Sequence, residues 1–179
     1  MREDAPLPAN PLLTPQMLRA LHAEAFGWSL SCCRGRREEA AEVLQSTYVR
    51  ILEGRARFDG RSTARTFLFG VIRNVARSDW RWRLRRARYI QDGPPVDPPG
   101  EAPDAPESLA TRAALRAALA ALPTRQREVV ELVFLRDCSI EEAAGILGIA
   151  IGSARTHYER AKARLRAALG LARAGAEGA

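Results

Sequence analysis

The sequence predicts an all-α protein built as two small helical domains on either side of a tether. Ala, Leu and Arg dominate a chain of 179 residues in which aromatics are only 6%, a composition that favours helix over sheet. Apolar residues recur at helical spacing through both halves, with no convincing strand and no internal repeat. Between the halves, residues 91–108 hold Pro94, Pro95, Pro98, Pro99, Pro103 and Pro106, five acids and no base. Such a stretch can neither continue a helix nor bury much apolar surface, so it reads as an extended tether. The expected organisation is a domain over 1–90, a flexible acidic linker over 91–108 and a second domain over 109–179.

The first block reads as three helices. Thr14-Pro15 offers an N-cap followed by proline at the first helical position, after which Met17, Leu21, Ala25 and Trp28 recur at helical spacing. A second helix is expected from about Glu38 to Leu52. Ala40, Leu44, Thr47 and Ile51 form its stripe, Ala41, Tyr48 and Leu52 lie beside it, and Gly54 stands where a stop belongs. The third starts near Ser62-Thr63 and aligns Ala64, Phe67, Leu68, Val71, Ile72 and Val75. The second block reads as four helices. Leu115, Leu119 and Leu122 mark one that Pro123 stops, and Val129, Val130, Leu132 and Val133 mark the next, from Thr124. Ser139 with Glu142 forms a capping box for a short third, and the last runs from about Gly152 to Leu169.

Charge is the strongest guide to function. The three segments carry net charges of +8, −5 and +4, and Lys162 is the only lysine. Arg73, Arg77, Arg81, Arg83, Arg85, Arg86 and Arg88 crowd the end of the third helix, interleaved with Trp80, Trp82 and Tyr89 and opposed only by Asp79. Arginine's planar fork suits phosphate and base edges, and rings stack on bases, so this composition fits single-stranded nucleic acid. Other classes are disfavoured. No run approaches the roughly 18 apolar residues of a membrane span, and Met1–Pro15 is polar and proline-rich, unlike a secretion signal. The only histidines, His22 and His157, have no nucleophile or carboxylate arranged near them, and no phosphate-binding glycine loop is present, so no enzyme is expected. Cys32 and Cys33 are adjacent and Cys138 is remote, a poor match to zinc spacing; buried unreactive thiols are expected, with no metal and no cofactor.

From Ser139 onward the spacing fits a helix-turn-helix. Ala143, Ala144 and Leu147 face inward, and Ala144 keeps the crossing close. Gly148 makes the turn, Ile149 plugs the gap, and Ala154 and Tyr158 seat the second helix. Its outward face then shows Ser153, Arg155, Thr156, His157, Glu159 and Arg160, groups that reach base edges or flanking phosphates in a major groove.

With these motifs in order, the chain resembles the extracytoplasmic-function (ECF) sigma factors, small bacterial RNA polymerase sigma factors with domains two and four only. "Ala-Leu-Pro" at 121–123 with Gln126-Arg127-Glu128, the run 139–149 and "Gly-Ser-Ala-Arg-Thr" at 152–156 resemble sigma domain four. Ala40–Leu52 with Gln45, and Phe58–Asn74 with Thr66-Phe67-Leu68 and Ile72-Arg73-Asn74, resemble domain two. The resemblance implies a cytoplasmic, non-catalytic subunit that binds core RNA polymerase and directs promoter-specific initiation. Glu42, Gln45, Tyr48 and Leu52 would face the β′ clamp helices, and domain four the β flap. Arg73, Asn74, Arg77, Trp80 and Arg81 would meet the minus-ten strand, and Ser153, Arg155, Thr156, His157 and Arg160 the minus-thirty-five element. The acidic linker would run through the active-site cleft, where it mimics RNA phosphates, and an anti-sigma factor would be a further partner.

Some positions depart from the family pattern. Ser46 stands where an acid usually follows the glutamine, Phe67 replaces a usual tryptophan, and Ser78 occupies a place commonly held by aspartate. Ala154 replaces a larger β-branched residue, which would seat the recognition helix less firmly, and Glu159 places a carboxylate on the DNA-facing side. The alternative is a sigma-like decoy that sequesters an anti-sigma factor without binding promoter DNA. Intact basic surfaces in both blocks favour the sigma factor.

Overall fold

A computed structural model describes residues 13–90 and 106–170. The chain divides into two compact units, Met1–Gly100 and Glu101–Ala179. All its regular structure among the described residues is helical, as the sequence predicts. Most of the tether, 91–105, lies outside the described residues. Its last three positions do not belong to a tether: Pro106 opens a helix, a place where a missing N–H costs nothing.

The first unit contains α1 (Pro15–Ala20), α2 (His22–Cys32), α3 (Arg37–Leu52) and α4 (Ala64–Ile90). The Thr14 side chain accepts from the Met17 amide at 3.3 Å, so the expected cap forms, with Pro15 at the first turn. The single helix expected over 14–28 is divided at Leu21, whose ψ of −2° departs from the helical value near −42°. That step turns the inward face from Met17, which is 39% exposed, to Leu18. On α3, Ala40, Leu44, Thr47 and Ile51 are all buried, joined by Val43. Glu53 then ends the helix, followed by Gly54 at φ 70°.

α4 packs against both α2 and α3, and α2 against α3. Because two partners cover it, its buried face is wider than one stripe: Leu68, Phe69, Ile72 and Val75 are fully buried, and Thr66 nearly so. Trp28 anchors this core. Its ring stacks on Phe69 with centroids 5.9 Å apart, and its indole N–H donates to the Phe69 carbonyl at 3.0 Å.

The second unit contains α5 (Pro106–Ala120), α6 (Thr124–Val130), a π-helical turn (Glu131–Leu135), α7 (Ile140–Leu147) and α8 (Ile151–Ala168). The four helices of the sequence reading are all present, with the second ending in the π-helical turn. Leu122, Val130 and Ala161 form a core with Leu119, Tyr158 and Leu165 packed on it, so α5, α6 and α8 share one centre. No described helix is long and apolar enough to cross a membrane.

The cysteines are placed unequally. Cys33 and Cys138 are buried, whereas Cys32 is partly exposed, a departure from the expectation of burial throughout. Among the described residues no group of three or more His, Cys, Asp or Glu is gathered as for a metal ion. Burial, with Glu39 adding to it, pushes the Cys33 thiol from 9.0 up to about 11. Folded protein therefore keeps a proton that the unfolded chain releases first, so this contribution is complete below pH 9 and is lost toward pH 11. Cys33→Ala is expected to flatten the fall of the unfolding midpoint between those pH values. Equal slopes for variant and wild type would refute the assignment.

Candidate nucleic-acid interfaces

The helix-turn-helix is assembled by local chemistry. The Ser139 hydroxyl accepts from the Glu142 amide at 3.0 Å, and the Glu142 carboxylate accepts from the Ser139 amide at 2.9 Å, closing the capping box. α7 ends at Gly148 with φ 59° and ψ 45°. The Ile149 amide reaches back to the Ala144 carbonyl at 3.1 Å, the 6→1 bond of a Schellman termination. Ala143, Ala144, Ile146 and Leu147 are buried on α7, and Ala154 and Ala161 on α8. Ala154 is fully buried, so the smaller residue still packs into the fold.

Ser153, Arg155, Thr156, Glu159 and Arg160 are exposed on α8. Three refinements come from the side chains. Arg155 lies 3.8 Å from Glu141 of α7, a carboxylate that competes for its guanidinium. The Thr156 hydroxyl donates to the Gly152 carbonyl at 2.9 Å, leaving its methyl as the freer recognition group. His157 is half-buried and its Nδ1 is enclosed without a hydrogen-bond partner among the described residues, so it sits at the edge of the face rather than at its centre.

On α4 the exposed residues Asn74, Arg77, Arg81 and Arg85 follow one another at spacings of three, four and four, forming one stripe. Arg85 was not singled out as a contact by the sequence. Arg73 departs from expectation: it is 3% exposed, because the doubly covered α4 takes it into the packed face, where a long aliphatic stem is tolerated. At that burial it offers little surface to a DNA strand. Trp80 is also less available than expected, since the guanidinium groups of Arg34 and Arg36 lie 5.5 and 5.8 Å from its ring centre. Trp82, 53% exposed, is the more open ring beside the stripe.

On α3, Glu42, Gln45 and Leu52 are exposed and Tyr48 is half-buried on the same side, with Val49, 40% exposed, adding an apolar residue the sequence did not single out. Glu42 pairs with Arg83 of α4 at 3.2 Å. The Tyr48 hydroxyl and His22 Nδ1 are 3.1 Å apart, and burial raises the tyrosine's pKa above its ordinary value. Beside them opens an apolar cavity of about 420 Å³ lined by Pro15, Leu18, Arg19, His22, Tyr48 and Leu52. No periodicity signals this cavity, since three helices contribute to it.

Two helical units, one carrying a helix-turn-helix and each displaying an arginine-bearing helix face, define a DNA-binding transcription protein. Comparison with known proteins narrows that class. Residues 16–87 match Sigma-70 region 2 and residues 112–165 match Sigma-70, region 4. The chain is 34% identical over 164 residues to the ECF RNA polymerase sigma factor EcfG of Rhodopseudomonas palustris, covering 91% of this chain and 88% of that one. It is 33% identical over 130 residues to an RNA polymerase sigma-E factor of Streptomyces coelicolor, covering 72% and 70% of the two chains. Among solved structures it resembles the sigma factor RpoE of Bartonella quintana, crystallised with the anti-sigma factor NepR. The TM-score is 0.68 at 26% identity, covering 88% of this chain and 97% of that one. The chain belongs to the ECF RNA polymerase sigma factors, which are specificity subunits and not enzymes.

Proposed function

We propose that this chain binds core RNA polymerase through α3 and directs initiation at promoters read by α4 and α8, under control of an anti-sigma factor. The observation that carries this reading is the pairing, in separate units, of two exposed helix faces built for different forms of DNA. The stripe Asn74, Arg77, Arg81 and Arg85 with Trp82 alongside combines backbone charge with a stacking ring, as a melted minus-ten strand requires. Ser153, Arg155, Thr156 and Arg160, with His157 at the margin, suit a minus-thirty-five duplex read in the major groove. Gln45, Val49, Tyr48 and Leu52 with the adjoining cavity would receive the β′ clamp helices, Glu42 lying at the rim. The second unit would meet the β flap. The Bartonella relative's complex with NepR supports an anti-sigma partner, and the protein would act in the cytoplasm.

Neither DNA face holds more than a few contacts, so recognition depends on polymerase holding both at once. The test is binding of the purified chain to core polymerase followed by run-off transcription on genomic fragments from the source organism. New initiation sites with paired upstream elements are expected. Absence of core binding would overturn the reading, and capture of an anti-sigma factor without any DNA binding would replace it with a decoy.

A further expected outcome concerns Glu141. Removing its charge frees Arg155, and an exposed pair of this kind is worth at most about 1 kcal/mol. Glu141→Gln should raise promoter affinity by up to about fivefold, measured by fluorescence anisotropy with the polymerase complex. Weakened binding would mean that the carboxylate positions Arg155 instead of competing for it.

A further inference from the structure

The turn between α2 and α3 contains Arg34, Gly35 and Arg36, with Arg37 opening α3. α2 terminates in a 6→1 bond from the Gly35 amide to the Leu30 carbonyl at 2.8 Å. The left-handed residue in this termination is Arg34, at φ 56°, ahead of Gly35 at φ 83°. Glycine is the usual occupant of such a position because it has no Cβ to clash. Arginine held in a disfavoured conformation calls for a reason in its side chain.

The side chain is placed over Trp80 of α4, with its guanidinium carbon 5.5 Å from the ring centre, and Arg36 lies over the same ring at 5.8 Å. A guanidinium stacked on an indole keeps N–H donors at its edge for another acceptor. Of the nearby acids, Glu39 and Glu42 are already engaged. Arg36 bonds Glu39 at 2.7 Å, and Arg83 pairs with both Glu39 and Glu42. Arg34 has no carboxylate partner among the described residues and is exposed. Arg36 adds a buried Nε without a hydrogen-bond partner among the described residues. Trp80 lies between Arg77 and Arg81 along α4, so this turn adjoins the stripe assigned to DNA.

We infer that Arg34, braced by Trp80 and backed by Arg36, is a contact to the DNA sugar-phosphate backbone, extending the nucleic-acid surface from α4 onto the α2–α3 turn. The inference rests on the proposed sigma function and adds a second element to its DNA-binding surface. A phosphate oxygen is the acceptor that fits, since the position offers charge and a planar donor edge with no companion groups to discriminate bases.

The test uses the full chain assembled with core polymerase on a promoter fragment identified by run-off transcription. Arg34→Gly removes the charge while relieving the backbone, so its unfolding midpoint should equal or exceed that of wild type. Its promoter affinity should fall severalfold near physiological salt, and the slope of log affinity against log salt should shrink by about 0.7–0.9, the value for one phosphate contact. Arg34→Lys should restore the slope while recovering only part of the affinity, because charge returns without the stacked fork. Unchanged affinity and slope in Arg34→Gly would overturn the inference while leaving the sigma reading intact. If wild type neither binds core nor initiates, the sigma reading fails and this contact falls with it.

Discussion

Trp28→Ala should destabilise the first unit by about 3–5 kcal/mol, the usual range for emptying a fully buried aromatic site. Three contributions act together. The cavity is large, the stacking on Phe69 is lost, and the Phe69 carbonyl loses the indole donor at 3.0 Å. A small domain has only about 5–15 kcal/mol in total, so the loss takes much of its margin. All three tryptophans, Trp28, Trp80 and Trp82, lie in the first unit. Fluorescence therefore reports that unit alone, through Trp80 and Trp82 in the variant. At about 4–8 °C per kcal/mol for a domain of this size, its midpoint should drop by at least about 12 °C. Trp28→Phe, which retains a ring and loses the N–H, should cost nearer 1–3 kcal/mol. A drop of less than a few degrees for Trp28→Ala would show that the core is not organised around this residue. Core polymerase binding should fall in parallel with the folded fraction, since α3 and α4 both pack around the same centre.

Ala144→Leu should disable the helix-turn-helix while leaving the first unit untouched. Ala144 is 2% exposed on α7, a helix that packs against α6, α8 and the π-helical turn. Its carbonyl also accepts the Ile149 amide that closes the turn. Three added carbons have no space there, and overpacking of this kind costs about 1–3 kcal/mol and displaces the helices. A recognition helix moved by about 1 Å no longer matches the spacing of base edges, so promoter affinity should fall by at least about tenfold. The tryptophan-reported midpoint should stay at its wild-type value, because no tryptophan lies in the second unit. Ala144→Ser, close in volume, serves as the control and should retain most binding. Wild-type promoter affinity for Ala144→Leu would mean that the crossing has room to spare.

The family is legible in the sequence, because its signals are local. The Ser139–Glu142 capping box, the left-handed Gly148 and the Thr14 cap are each set within a few residues, and all three form as expected. The α3 stripe of Ala40, Leu44, Thr47 and Ile51 was equally readable, since its buried residues keep a single helical period. α4 was harder. Helical spacing places Arg73 beside Asn74 in sequence, yet only the packing of α2 and α3 on α4 decides that one is buried and the other exposed.

Helix type, caps, turn chemistry and the segregation of charge were thus determined by the sequence itself, through interactions that span a turn or two of backbone. The tertiary structure alone decided which arginines face water, that Arg34 and Arg36 cover Trp80, that Tyr48 meets His22 beside an apolar cavity, and that Pro106 begins a helix. Most of these depend on residues distant in the chain converging on one place. A side chain's exposure is fixed by where neighbouring elements cover its helix, and periodicity along one helix carries no record of that placement.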